Sequence, residues 1–199
     1  MHEMNEVNDV NRVSRKLARI IAALLLAAAA TSAGGPVAAA LSKAPDLTLA
    51  DLKGTAVRID YHGGKLTLVN FWAIWCGPCR QEMPQIARLV REYGKQGFQA
   101  VGIAVQSGEA SDVREFLDDN KDYGITYPVL MGTDDTLTRF GDVQAVPTTF
   151  LIDPAGKIVR QFVGVTPGFA VKLEDEIKKA LATDSNRSEE RRVGKECRL

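Results

Sequence analysis

The chain has 199 residues, with 25 Lys and Arg against 25 Asp and Glu, and 45% of it is hydrophobic. Balanced charge with no basic stripe and no aromatic-interleaved basic patch excludes nucleic acid as a sensible partner. Three cysteines and two histidines are present, and two of the cysteines stand in one pentapeptide.

In chain order, the first segment has its own composition. Arg12, Arg15, Lys16 and Arg19 precede an apolar stretch from Ile20 to Ala30, and small residues follow. A basic flank, a short apolar core and a small-residue end form the pattern of a secretory signal peptide. The stretch is shorter than the roughly 20 residues that span a bilayer, unless the residues beyond Thr31 join it past Gly34-Gly35-Pro36. Residues 1–40 are therefore read as a cleaved signal peptide, or else as an uncleaved N-terminal membrane anchor. Both place the remainder in a periplasmic or extracytoplasmic compartment, where disulfides persist.

Residues 41–183 have the size of one domain with a full hydrophobic core. Leu66–Trp72 and Ala100–Val105 are nearly continuous apolar runs, as expected of strands buried on both faces of a parallel sheet. Between them Cys79–Tyr93 has helical character, with Gly94 at the expected C-cap and Pro84 as a kink. Strand, helix and strand at this spacing predict a right-handed βαβ unit. Ser111–Asn120 suits a helix with a Ser start, Tyr127–Met131 a brief strand, and Asp134–Phe140 a short helix begun by Asp. Thr148–Ile152 and Lys157–Val163 flank the turn Asp153-Pro154-Ala155-Gly156 and predict an antiparallel hairpin. Phe169–Ala182 is expected to close the domain as an amphipathic helix carrying Val171, Leu173, Ile177 and Leu181. The pattern predicts an α/β fold: a mixed central sheet flanked by helices on both faces.

Residues 184–199 are charged, with no apolar face, and are expected to be a disordered tail. Their run from Arg187 to Arg198 resembles the translated read-through of a sequencing adapter, which would make Cys197 an unimportant thiol.

The pentapeptide Trp75-Cys76-Gly77-Pro78-Cys79 carries the chemistry. Two cysteines two residues apart can close a disulfide reversibly. At a strand-to-helix turn, the positive end of the helix dipole stabilises the thiolate, which is the species that attacks disulfides. The competing use of such a pair, half of a structural zinc site, needs two further ligands. Only His2, His62 and Cys197 remain, and His2 and Cys197 lie at opposite ends of the chain. No metal is expected.

The run from Leu68 to Pro84, Leu-Val-Asn-Phe-Trp-Ala-Ile-Trp-Cys-Gly-Pro-Cys-Arg-Gln-Glu-Met-Pro, resembles the active-site segment of thioredoxin-fold proteins. Its Arg-Gln-Glu-Met-Pro continuation resembles the TlpA/ResA-like branch of extracytoplasmic thiol–disulfide oxidoreductases. Val146-Pro147-Thr148-Thr149-Phe150 resembles the cis-proline loop of the same family, and the segment from Ala44 to Lys65 its N-terminal β-hairpin extension. The resemblance implies a thioredoxin-like fold and an enzyme that exchanges disulfides without a cofactor.

By that resemblance Cys76 is the exposed, attacking sulfur and Cys79, one helical turn deeper, resolves the mixed disulfide. Trp75, Gly77, Pro78, Val146 and Pro147 would border the bound substrate, with Pro147 in a cis peptide bond. Glu82 lies three residues after Cys79 and so on the same helical face. The branch carries a glutamate here for proton handling; the plainer alternative is a surface glutamate paired with Arg80 or another nearby base. Thioredoxin itself has a buried aspartate where this chain has Asn70, which shifts proton transfer to Glu82 or water. Gly77-Pro78 matches thioredoxin and implies a reductant. Partners would be disulfide-containing client proteins, of the apocytochrome c or copper-assembly class, and a membrane electron donor; the domain is expected to be monomeric. Two other activities fit the cysteines less well: a peroxiredoxin-like peroxidase, and a copper metallochaperone using both thiolates.

Overall fold

The computed structural model describes residues 43–196, with side chains to 183. The expected signal peptide or anchor and Cys197 lie outside the described residues. β1 (Thr48–Ala50) and β2 (Ala56–Arg58) form a separate two-stranded antiparallel sheet pairing Thr48 with Arg58. Asp51 at its turn bridges to Leu130 of the main sheet, and Leu49 and Val57 pack on the same core cluster as Leu130.

The main sheet holds five strands: β3 (Leu66–Trp72), β4 (Phe98–Ala104), β5 (Val129–Met131), β6 (Thr148–Ile152) and β7 (Ile158–Val163). Their order is β5-β4-β3-β6-β7. β3 is parallel to β4, β4 to β5, and the β6–β7 hairpin runs antiparallel against β3. Every residue of β3 is buried, because helices cover one face and loops and a short helix the other; a continuous apolar strand is what that burial selects. The β6–β7 turn closes as expected. Pro154 fixes one φ, Gly156 sits at φ +78°, and the Asp153 carboxylate accepts from the N–H groups of Ala155 and Lys157.

The helices are α1 (Gly77–Tyr93), α2 (Ala110–Asp119), α3 (Asp134–Arg139) and α4 (Phe169–Glu196). Four details differ from expectation. The first helix starts at Gly77, capped by Cys76. Gly94 is the C-cap, as expected, but at φ −58° rather than in a left-handed turn, and the chain continues as a 3-10 turn until Gly97, at φ +96°. α2 is capped by Glu109, whose N–H donates to the Asp112 carboxylate at 2.8 Å, so the box lies two residues before Ser111. In α4, Leu173 and Ile177 are fully buried but Val171 is 66% exposed. Two residues are about 200° of helical turn, so Val171 cannot share the face of Leu173.

The helix also continues to Glu196 where a disordered tail was expected. Residues 184–196 contain no proline and are rich in Glu, Arg and Lys, which propagate a helix already started.

Candidate functional site

The site is assembled at the C-terminal end of β3. The strand ends at Trp72, and Ala73 to Trp75 lead into Cys76, immediately before the first residue of α1. Cys76 takes an extended conformation, φ −85° and ψ 100°, as the N-cap. Its Sγ accepts from the Cys79 N–H at 3.2 Å, one of the donors that a helix start leaves unpaired. Cys76 and Cys79 are joined in a disulfide. Helix amides aimed at Sγ would favour its thiolate once the bond is reduced.

Both cysteines are buried in this oxidised state, Cys76 at 3% exposure and Cys79 at 1%. That corrects the expectation of a freely exposed Cys76. The half-buried Val146 packs against the core cluster that contains both cysteines.

β6 brings in the second motif. Thr148 pairs with Phe71, near the end of β3, so the preceding Val146-Pro147 bond, which is cis, lands beside the cysteines. The Pro147 carbonyl accepts from the Gly164 N–H at 2.8 Å, and the Thr148 hydroxyl donates to the Ala145 carbonyl at 2.7 Å. The two motifs, 67 residues apart in sequence counting from Cys79 to Val146 (146 − 79), are adjacent because β6 lies next to β3.

Glu82 lies one turn after Cys79 and is 7% exposed. Its Oε2 has no hydrogen-bond partner, and loss of hydration raises its pKa from 4.5 to about 7. Arg80 is not its partner: that guanidinium lies over the Phe116 ring and reaches the Tyr123 hydroxyl. A cleft of about 270 Å3 opens beside Glu82, lined by Pro78, Gln81 and Gln85 on one side and by Val165, Thr166 and Phe169 on the other. Asn70, facing the same way as Leu68 and Trp72, donates from Nδ2 to the Thr149 hydroxyl at 2.9 Å, and its Oδ1 is unpaired. An amide in that place can bond but cannot take a proton.

Trp75 is 62% exposed, with its ring N–H on the Gln106 carbonyl at 2.9 Å. Gly77 and Pro78 form the first turn of α1. Gln106 and Ser107, which hold the segment before Cys76, were not legible as site residues. Ser107-Gly108 is a turn signal after an apolar strand, but nothing in sequence places that loop beside Trp75. Among the described residues, no cluster of three or more His, Cys, Asp or Glu side chains is placed to hold a metal ion.

The AhpC/TSA family profile matches residues 41–161, more than half of the chain. The chain belongs to the AhpC/TSA family. It is 36% identical over 123 residues to the thiol-disulfide oxidoreductase ResA of Bacillus subtilis, covering 62% of this chain and 66% of that protein. With ResA of Geobacillus thermodenitrificans it shares 38% identity, over 62% of this chain and 68% of the relative. The chain thus spans about two thirds of these relatives. Among solved structures, a thioredoxin-family thiol:disulfide interchange protein of Chlorobium tepidum aligns with a TM-score of 0.60 and 31% identity, over 70% of this chain and 96% of that one. The fold is thioredoxin-like, and this member of the AhpC/TSA family is a thiol–disulfide oxidoreductase of the ResA type with a Cys-x-x-Cys disulfide. Such an enzyme acts on disulfide-containing client proteins.

Proposed function

We propose that the protein is an extracytoplasmic reductant of client disulfides. The single observation that carries this is the Cys76–Cys79 disulfide at the start of α1, opposite the Val146-Pro147 loop. In the reduced enzyme, the Cys76 thiolate attacks one sulfur of the client disulfide and forms a mixed disulfide, expelling the other client sulfur as a thiolate that takes up a proton. Cys79 then loses its proton to the Glu82 carboxylate and attacks Cys76 Sγ. The client's second sulfur leaves and is protonated in turn. Two electrons pass to the client, which ends as a dithiol, and the enzyme ends with the Cys76–Cys79 bond. A carboxyl group near pKa 7 suits a base that must be free at neutral pH yet able to hold the proton.

Trp75, Gly77 and Pro78 form one wall of the client site and Val146 and Pro147 the other, and Val146 offers backbone groups to an extended segment. The resemblance to the TlpA/ResA-like branch supports export through residues 1–40 and re-reduction by a membrane electron donor. The same resemblance supports clients such as an apocytochrome c or a copper-assembly factor, and a monomeric enzyme. Residues 184–199 are not part of this function. Among the described residues, no helix is long and apolar enough to cross a membrane. A peroxidase activity is the second reading, favoured by the AhpC/TSA match, and consumption of peroxide by the reduced protein would reveal it.

The deciding experiment is the reduction potential, from free thiols counted after equilibration in graded thiol–disulfide buffers. A reductant gives a value near thioredoxin's, about −270 mV, or lower; a value near about −120 mV would make the protein a disulfide donor instead.

A further inference from the structure

The loop after β4 grips the segment that precedes Cys76 at three successive points. The Val105 N–H donates to the Trp72 carbonyl at 3.0 Å. The Ile74 N–H donates to the hydroxyl of Ser107 at 3.2 Å, and that buried hydroxyl donates in turn to the Val105 carbonyl at 2.9 Å. Between them, the Gln106 carbonyl takes the Trp75 ring N–H at 2.9 Å.

Gln106 is unusual in how it does this. Its φ is +48°, in the left-handed region, where a non-glycine residue is strained by its Cβ. Its side chain is exposed and has no hydrogen-bond partner among the described residues, so what it supplies is its backbone. The strain is tolerated at the one residue whose carbonyl holds an indole that would otherwise be free, being 62% exposed. Trp75 held there is one wall of a notch of about 90 Å3, lined also by Val105, Leu137, Val143, Ala145 and Val146, with Gln106 and Gln144 the polar residues of its lining. The notch is the size of one small apolar side chain and lies between the residue before Cys76 and the residue before Pro147.

We propose that Gln106 is a positioning residue: its left-handed backbone fixes Trp75 as the wall of an apolar notch, and so sets affinity for an aliphatic residue beside the client's disulfide. The proposal rests on the reading of the protein as a reductant of client disulfides.

The test uses the reduced full-length chain and a synthetic peptide closed by one disulfide, with Leu next to one of its cysteines. Single-turnover reduction gives a half-saturating concentration and a maximal rate, and NMR gives the exchange rate of the Trp75 indole N–H. Gln106→Val, a β-branched residue ill suited to φ +48°, should raise the half-saturating concentration roughly fivefold, the scale of one neutral hydrogen bond. The maximal rate should stay within about twofold, and the indole N–H should exchange roughly tenfold faster. Gln106→Gly, which keeps the carbonyl and relieves the strain, should match the parent. In a Trp75→Phe background, Gln106→Val should add nothing. Should Gln106→Val fail to fold, Gln106→Thr, also β-branched, makes the same comparison.

Unchanged indole exchange and half-saturation, or an equal effect in the Trp75→Phe background, would overturn the proposal. A parent protein that reduces no peptide would sink the reductase reading instead, and the indole exchange rates would still decide whether Gln106 holds Trp75.

Discussion

The two faces of the sheet are packed by different rules. On the face away from α1, Phe71, Phe140 and Phe150 stack within 5.0 to 6.0 Å of one another, centroid to centroid. Val69, Ile103, Leu130 and Ile152 fill in around them. Among the described residues, the one unpaired buried side-chain polar atom in that cluster is the Tyr61 hydroxyl. The α1 face carries the other four, on Asn70, Trp72, Glu82 and Tyr127, together with both cysteines. Unpaired buried polar atoms each cost roughly 1–3 kcal/mol, so their concentration on one face is a stability cost borne mainly by the side that does the chemistry. One face holds the molecule together; the other is kept uncomfortable enough to move protons and electrons.

The largest way to test that division is to remove one working part from each face. Cys76→Ser should abolish turnover of any disulfide peptide to background, while the denaturant midpoint of the reduced protein shifts little, because Ser preserves the N-cap acceptor. Phe140→Ala should do the opposite. It removes a fully buried ring from the aromatic cluster and should cost about 3–5 kcal/mol of stability in urea unfolding, with the reduction potential of the surviving native protein unchanged. A Phe140→Ala variant that shifted the potential would show that the faces are coupled, and the comparison would fail.

Glu82 gives a smaller effect with a definite sign. Its folded pKa of about 7 lies above the usual 4.5, so between those values the native state holds a proton that the unfolded state has released. Stability therefore falls as pH rises through that window and is level above it, by at most about 3 kcal/mol at about 1.4 kcal/mol per pKa unit. Glu82→Gln should flatten the profile and leave the variant more stable than the parent at pH 8. Urea midpoints from pH 4.5 to 8, with the disulfide intact, measure it; parallel profiles for the two proteins would contradict burial of an ionisable Glu82. The same variant should slow release of the mixed disulfide, since an amide cannot accept the Cys79 proton.

Much of this arrangement was legible in the chain, for physical reasons that also mark where legibility stops. Strand β3 reads from sequence because burial on both faces forces an unbroken apolar run, and the Asp153–Gly156 turn reads because Pro and Gly each fix a dihedral. The cysteines announce themselves by chemistry. Val146-Pro147 was identified by resemblance alone, since its place beside Cys76 depends on β6 pairing with β3 across a long loop. Glu82 was placed on the right helical face, yet its burial depends on the β7–α4 loop and could not be read from α1. Gln106 escaped altogether: its exposed side chain is silent, and the working atom is a carbonyl that every residue has. Val171 misled because a valine in a helix near its start looks like core until the phase is fixed by Leu173.

The smallest predicted effect uses a carboxylate with the opposite sign to Glu82, on the same pair of helices. Glu174 of α4 accepts from Arg88 at 2.8 Å and from Tyr93 at 3.0 Å, both on α1, and pairs with Lys178 at 2.9 Å. Hydrogen bonds from Lys178, then Arg88 and Tyr93, hold its pKa down to about 2. A depressed carboxylate stabilises the fold above its ordinary pKa and loses that contribution as pH falls from about 4.5 toward 2. Arg88 is 45% exposed, so solvent screens the network and its worth should stay under about 1 kcal/mol. Glu174→Gln should therefore lower the urea midpoint slightly at pH 7 and not at pH 2, and added salt should shrink the difference. Set beside Glu82→Gln, it would give two profiles that diverge on opposite sides of about pH 4.5. The solvated strap between α1 and α4 gains from its charge and the buried carboxyl loses by it, which is the contrast expected if desolvation near the cysteines, rather than any general property of this helix pair, is what tunes Glu82.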